Sequence, residues 1–393
     1  MPTFADLGLR PTWLQVDLTA LDHNFRALRE RTGPGIKICA IVKADAYGHG
    51  AATVARRLEK LGCDYFGVAM VEEGSELRAA GIGSPIVLLG AVWGEGAVRA
   101  AAADDIEISI HNRDILPAVS RAAADTGRPL RVHLKIDTGM GRLGIAAAEV
   151  PAWCREARGA GLELVGVYTT FSSADDAGSP RTGRQLERFV GAIESLERCG
   201  FRPPLRHAAN SGAILNFPET LLTLVRPGLL LYGIEPTPEG QGPGGGFRPV
   251  ASLRTRVAQV AAYPPGSRFG YSGTFEARRE SRMAVLPVGY GDGVSRLLSN
   301  NGDVLIRGRR APIVGRVSMD LLVADVSDLP RAEVGDLATL IGRDGGEEIG
   351  AWEVAERAGT IPWEVLCGVG CRVPRAATEG EKVVSIVSRL ERR

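Results

Sequence analysis

Lys43 closes the apolar run Ile36-Lys37-Ile38-Cys39-Ala40-Ile41-Val42 and opens the small-residue stretch Ala44-Asp45-Ala46-Tyr47-Gly48-His49-Gly50. An amine partly buried among apolar neighbours gives up its proton more easily, which suits a lysine that forms a Schiff base with an aldehyde. Gly48 and Gly50 permit a tight turn, and the helix expected after them offers free N–H groups that attract an anion. Tyr47 adds a hydroxyl nearby. A strand-end lysine snorkelling to solvent accounts for the same run about equally well.

A second cluster is Lys135-Ile136-Asp137-Thr138-Gly139-Met140-Gly141-Arg142-Leu143-Gly144, three glycines shaping a loop around one arginine. An arginine so placed can clamp a carboxylate through two parallel bonds. Standing alone, a solvated arginine in a glycine loop is the simpler reading. Further along come His207-Ala208-Ala209-Asn210-Ser211 and Val225-Arg226-Pro227-Gly228-Leu229-Leu230-Leu231-Tyr232-Gly233. Beyond those lie Tyr271 in Phe269-Gly270-Tyr271-Ser272, Tyr290 in Gly289-Tyr290-Gly291-Asp292-Gly293, and Ser318-Met319-Asp320. A lone tyrosine is more often a packed ring with a bonded hydroxyl than a base.

The elements that must position these residues follow from periodicity. Leu18, Leu21, Phe25 and Leu28 recur at helical spacing after Asp17, a plausible N-cap, and Val54, Leu58 and Leu61 mark a helix closed by Gly62. Apolar runs at 36–42, 65–68, 86–89, 106–109, 130–136, 164–168, 205–208 and 222–225 alternate with helical or turn segments. Eight such units over little more than 200 residues fit a (β/α)8 TIM barrel, whose site lies at the strand C-termini. In that frame Ser211, Gly228 and Leu229 fall in the loops after strands seven and eight, where such barrels often hold a phosphate. Pro236, Pro238, Pro243 and Gly244-Gly245-Gly246 read as a linker over 236–248. Shorter alternating strands follow, including 254–260 and 321–326, with a helix expected near 351–357. The fold class is α/β: a barrel over 14–240, then a mainly β C-terminal domain over 249–393 joined by residues 1–13.

Composition narrows the function. Lysine plus arginine total 47 against 46 aspartate plus glutamate, so no basic field points to nucleic acid, and a small-molecule partner is favoured. Met1 to Asp6 lack a signal-peptide pattern and no run of about 18 apolar residues occurs, which points to a cytoplasmic protein without a membrane anchor. The six cysteines lack C-x2-C spacing, so no metal is expected and buried reduced thiols are.

The run Val42-Lys43-Ala44-Asp45-Ala46-Tyr47-Gly48-His49-Gly50 closely resembles the cofactor-lysine motif of the alanine racemases, built from a TIM barrel and a β domain. The resemblance extends in family order through the Lys135–Gly144 loop, Arg226-Pro227-Gly228, the Tyr271 and Tyr290 motifs, Ser318-Met319-Asp320 and Ile361-Pro362-Trp363-Glu364, to Arg372-Val373-Pro374-Arg375. It implies that Lys43 carries pyridoxal 5′-phosphate (PLP), whose phosphate meets Tyr47, Ser211, Gly228 and Leu229, with His207 and Tyr290 as further cofactor contacts. By the same resemblance Arg226 faces the pyridine nitrogen. An arginine keeps its own protons there, so the ring is a weaker electron sink than one paired with an aspartate. Arg142, Met319, Asp320 and Cys371 fall at substrate-side positions, and Lys135 matches a lysine that is often carbamylated.

The implied activity is interconversion of L- and D-alanine by two bases, Lys43 and Tyr271 of the partner subunit, in a homodimer. With it comes supply of D-alanine for cell-wall precursors. Two positions depart from the family pattern: Thr170 stands where histidine is usual in Tyr168-Thr169-Thr170-Phe171, and Cys371 where many members carry tyrosine. The first leaves Tyr271 a poorer base and the second widens the pocket, which keeps a serine or broader-specificity racemase open. A non-catalytic PLP-binding barrel would not need the β domain that carries Tyr271. A decarboxylase of this architecture would pair the ring nitrogen with a carboxylate.

Overall fold

A computed structural model describes residues 10–237 and 245–388. Among these the chain forms two compact units, one of residues 22–46, 51–237 and 245–247, the other of 10–21, 47–50 and 248–388.

The first unit is an α/β barrel. Its strands, counted one to eight, are Lys37–Ile41, Tyr65–Val68, Ile86–Leu88, Ile106–Ile110, Leu130–Asp137, Leu162–Tyr168, Leu205–His207 and Leu224–Val225. Each pairs in parallel with the next as far as the seventh, and the eighth pairs with the first through Leu224 opposite Lys37 and Val225 opposite Ile38. All eight coincide with the apolar runs expected from the sequence. Strands covered on both faces bury consecutive residues, so they read as unbroken apolar runs rather than alternations; Tyr65–Val68 and Ile106–Ile110 are buried throughout. Helix Ala51–Lys60 buries Ala51, Val54, Ala55 and Leu58 along one stripe. Strands seven and eight are joined without a regular ladder, by Thr223 N donating to Arg206 O at 3.2 Å, Arg226 N donating to Ala209 O at 2.9 Å and a bridge between Asn210 and Arg226.

The second unit is mainly β, an eleven-stranded sheet with a separate two-stranded hairpin. Strand Thr12–Asp17 lies in this sheet, antiparallel to Ala251–Arg256 and parallel to Arg375–Glu379. Residues 14–17, expected with the barrel, are therefore partners of segments more than 230 residues away, a relation that local pattern does not carry. Asp17 does cap the following helix, accepting from Thr19 N at 2.8 Å and Ala20 N at 3.1 Å. The single strand expected over 254–260 is two, Ala251–Arg256 and Gln259–Tyr263. Between them Val257 N donates to Asp336 O and Ala258 N to Val285 O, so the ladder changes partner at that point. Helix Ala351–Arg357 is where it was expected, and a second, Pro362–Cys367, follows. The centre of the expected linker, residues 238–244, lies outside the described residues.

Among the described residues no helix is long and apolar enough to cross a membrane. All six cysteines are unbridged thiols, but only Cys39, Cys63 and Cys154 are buried; Cys199 is half-buried, and Cys367 and Cys371 are exposed. The expectation of buried thiols fails for the last two because they lie at a helix end and in the turn after it.

Candidate active site

Strand one ends at Ile41, and Lys43 starts a left-handed turn in which Ala44, Asp45, Ala46 and Tyr47 have φ of 52°, 54°, 56° and 52°. Each non-glycine residue in that region costs about 1–2 kcal/mol, so the turn is held from outside. Within the barrel unit Glu73 accepts from Ala44 N at 2.7 Å with one carboxylate oxygen and from Ala69 N at 2.7 Å with the other. Asp45 accepts from Ala51 N at 2.8 Å. That bond corrects one expectation: the helix after Gly50 has its leading N–H occupied by Asp45 rather than open to an anion. Lys43 itself is exposed rather than partly buried, because Val42 is the last buried residue of the run and the lysine already belongs to the turn. Tyr47, in the second unit, is buried, and burial pushes its hydroxyl well above its usual pKa, so it stays protonated.

Arg226, 6% exposed, fills the gap between strands seven and eight. Its Nη1 donates to His207 Nδ1 at 2.9 Å and His207 O at 2.8 Å, and its Nη2 to Thr169 O at 2.6 Å and Ala208 O at 3.1 Å. A guanidinium has five N–H donors; these four bonds leave Nε–H. Burial lowers the Arg226 pKa to about 10, which still keeps it charged near neutrality. Its carbon stands 5.2 Å above the centroid of the Tyr168 ring. The opposite direction from His207 leads to His133, Nε2 to Nδ1 at 2.9 Å, and His133 Nε2 lies 2.7 Å from Glu107 Oε2.

Lys135 lies near the end of strand five beside this cluster, 4% exposed, with Nζ 5.2 Å from the centroid of the Tyr168 ring. Burial, then Arg226, then Arg142 push its amine down to about 8. The loop after it is organised by Asp137, whose carboxylate accepts from Gly139 N at 2.9 Å, Met140 N at 2.9 Å and Gly141 N at 3.0 Å. Burial pushes that carboxyl up, but the three N–H bonds outweigh it and hold it below its usual value. A Cβ on Gly144, at φ +123°, would meet Asp137 N at 2.7 Å, so the loop's return demands glycine. Arg142 is exposed. Thr170 is half-buried, and its carbonyl accepts from Gln185 Nε2 at 3.2 Å.

The loops after strands seven and eight meet at Ser211. Its Oγ accepts from Gly228 N at 3.0 Å and Leu230 N at 3.5 Å, which leaves the hydroxyl proton to donate. Ser211 opens helix Ser211–Asn216, whose first N–H groups have no intrahelical acceptor, and Asn210 caps Ala213 N at 3.0 Å. A hydroxyl donor, a helix start and the backbone N–H of Leu229 are the donor set of a phosphate site, with Gly228 N–H engaged by Ser211. Together with the remaining Nε–H of Arg226, this chemistry fits PLP.

The second unit carries the other sequence-predicted residues. Tyr271, 71% exposed, rides a short turn between Arg268–Phe269 and Phe275–Glu276, a hairpin whose Phe269 packs with Ala277, Met283 and Val314. Tyr290 N donates to Ser318 O and Gly291 N to Met319 O, both at 2.9 Å, which joins those two motifs. Asp320 pairs with Arg372, whose Nε also lies 3.4 Å from Asp292. Tyr290, Met319, Asp320 and Cys371 are exposed.

Residues that sequence reasoning missed are Glu73, Glu107, His133, Tyr168 and Asp137. His133 and Glu107 stand inside apolar strand runs, and a charged residue in an otherwise buried run was the signal available.

The profile for the alanine racemase N-terminal domain matches residues 16–236, and that for the alanine racemase C-terminal domain matches 250–377. An alanine racemase of Symbiobacterium thermophilum is 44% identical over 369 residues, 94% of this chain and 97% of that protein. One of Desulfovibrio desulfuricans is 42% identical over 373 residues, 94% and 99% of the two chains. The solved alanine racemase of Clostridium difficile superposes with a TM-score of 0.91 at 32% identity, covering 97% of this chain and 99% of its own. Matches of this extent put the molecule among the amino-acid racemases, a class of isomerase. The chain belongs to the alanine racemase family.

Proposed function

We propose that this chain racemises alanine with PLP bound in the barrel, as a homodimer whose second base comes from the partner subunit. The observation that carries the reading is Arg226: it is buried, stays charged, and has four of its five donors on protein atoms, leaving Nε–H for the pyridine nitrogen. Bound PLP supplies an aldehyde for an amine and an electron-withdrawing ring beside the substrate's Cα. Arg226 keeps its protons, so the ring nitrogen gains none, and that favours return of the Cα proton over its diversion.

In this reading Ser211, Gly228 and Leu229, with Tyr47, hold the phosphate, and His207 orients Arg226. Lys43 Nζ removes or returns the Cα proton on one face, and Tyr271 Oη of the partner subunit does so on the other. Arg142 holds the substrate carboxylate, with Lys135 as its carbamate partner. Met319, Asp320 and Cys371 border the substrate, and Tyr290 completes the cofactor site. The exposure of Tyr271, Tyr290 and Met319 supports their use at an interface between copies.

The test is to reconstitute the purified chain with PLP, reduce it with borohydride and map the pyridoxyl peptide, and separately to resolve the enantiomers formed from L-alanine. A label on Lys43 with D-alanine formed is the expected result. A label on another lysine overturns the assignment.

A further inference from the structure

Arg226, His207, His133 and Glu107 form one buried file through the barrel interior, His207 and His133 at 0% and Glu107 at 1% exposure. Its two ends have opposite and fixed characters. A guanidinium has no acceptor, and a carboxylate has no donor. Nη1 of Arg226 must donate to His207 Nδ1, so His207 carries its proton on Nε2. His207 Nε2–H then donates to His133 Nδ1, and His133 Nε2–H donates to Glu107 Oε2. This is the single proton arrangement that satisfies all three bonds. A cationic ring at either histidine would set an N–H against an N–H somewhere along the file.

We infer that Glu107 and His133 are positioning residues of the site: acting through His207, they hold the ring in the orientation that accepts from Arg226, in the tautomer Arg226 requires, and so leave Nε–H of Arg226 for the ligand.

Three further observations support this. A Cβ on Gly166 would come within 2.1 Å of His133 Nδ1, and strand six slips one residue there, Leu164 facing Val132 but Gly166 facing His133. The barrel wall is therefore cut to admit this ring. Tyr168 stacks on His207 at 4.9 Å and 16°, which fixes the second ring's plane, and Tyr168 is itself held by Ser109 Oγ at 2.8 Å. Burial first, then Arg226 and His133, keep His207 far below its usual pKa, in accord with a neutral ring. The other charged or titratable groups around the file are Lys135 over the Tyr168 ring, Arg142 near Tyr168, Cys39 near Arg226, Tyr65 near Glu107, and Arg131, whose Nε lies 3.5 Å from Glu107 Oε1.

The consequence for PLP rests on the function proposed above; the tautomers do not. The full chain holds five histidines, few enough for long-range proton–nitrogen correlation on 15N-histidine protein to assign each ring. Without PLP, His133 and His207 are expected as Nε2–H neutral rings from pH 6 to 8. Glu107→Gln, whose amide oxygen still accepts, should retain both tautomers. Glu107→Leu, which takes away the acceptor of His133 Nε2–H, and Gly166→Ala, which displaces the ring, should shift the His133 nitrogen resonances and by loss of one positioning bond weaken PLP binding about tenfold, while Arg226 still holds His207 as Nε2–H. A wild-type His207 protonated on Nδ1, a cationic ring at either position, or unchanged His133 resonances together with unchanged PLP affinity in Glu107→Leu would each overturn the inference. Should one variant fail to fold, the wild-type tautomers still decide it. A chain with both rings Nε2–H that binds no PLP upholds the file and rejects the cofactor reading.

Discussion

Lys135 Nζ stands 5.2 Å from the centroid of the Tyr168 ring, and on that same ring, also at 5.2 Å, sits the guanidinium of Arg226. Two cations lie against one aromatic ring, and the lysine is the one able to yield its proton. Its pKa of about 8 lies below the value near 10.4 of an unfolded lysine. The unfolded chain thus binds the proton more tightly over that window, so stability is lowered in full below about pH 8 and recovers as pH rises toward about 10.4. In carbon-dioxide-free buffer Lys135→Met should be more stable than wild type at pH 7, by on the order of 2–3 kcal/mol. Urea unfolding at pH 7 and 10 checks this, and the difference should shrink at the higher pH.

The same depressed pKa leaves a neutral amine to attack carbon dioxide, forming a carbamate and releasing one proton. Wild-type protein in 13C-bicarbonate at pH 8 should show a carbamate resonance that Lys135→Gln lacks. An identical resonance in that variant would place the modification elsewhere.

Tyr271 belongs to the β unit and Lys43 to the barrel. A subunit with Lys43→Ala and another with Tyr271→Phe should each be nearly inactive, and mixing them should restore part of the activity, because some hybrid sites regain both groups. Racemisation by a monomer, established by light scattering at assay concentration, would reject the shared site.

The turn after Lys43 predicts its own relief. Ala44 is exposed at φ 52°, so Ala44→Gly removes left-handed strain without opening a cavity and should stabilise the chain by about 1 kcal/mol. The same change loosens the residue next to Lys43, so kcat should fall while thermal stability rises. Calorimetry and steady-state kinetics on one preparation test both.

Cys371 is exposed and adjoins Arg372, which reaches Asp320 and Asp292. If the cysteine leaves room beside the substrate side chain, each added methylene is worth about 1 kcal/mol there. Cys371→Tyr should then lower kcat/KM for serine and larger amino acids more than for alanine. An unchanged ranking would remove Cys371 from specificity.

By itself the sequence determined the barrel and the identity of the groups that meet in it. Runs such as Tyr65–Val68 and Ile106–Ile110 are apolar throughout because both faces of each strand are covered, and that burial is written locally. The lysine, arginine and serine motifs were legible for the same reason, each being a short stretch at a strand end. What the tertiary structure alone decided are the relations across distance. Thr12–Asp17 joined the β sheet because its partners lie at 251–256 and 375–379. Lys43 came out exposed, and the anion-ready helix start was taken by Asp45, because the strand stops at Ile41 and the expected turn, left-handed, already includes Lys43. Glu107, His133 and His207 come from strands four, five and seven and share no local pattern; only closure of the barrel, with Gly166 left without a side chain, brings them into one hydrogen-bonded file.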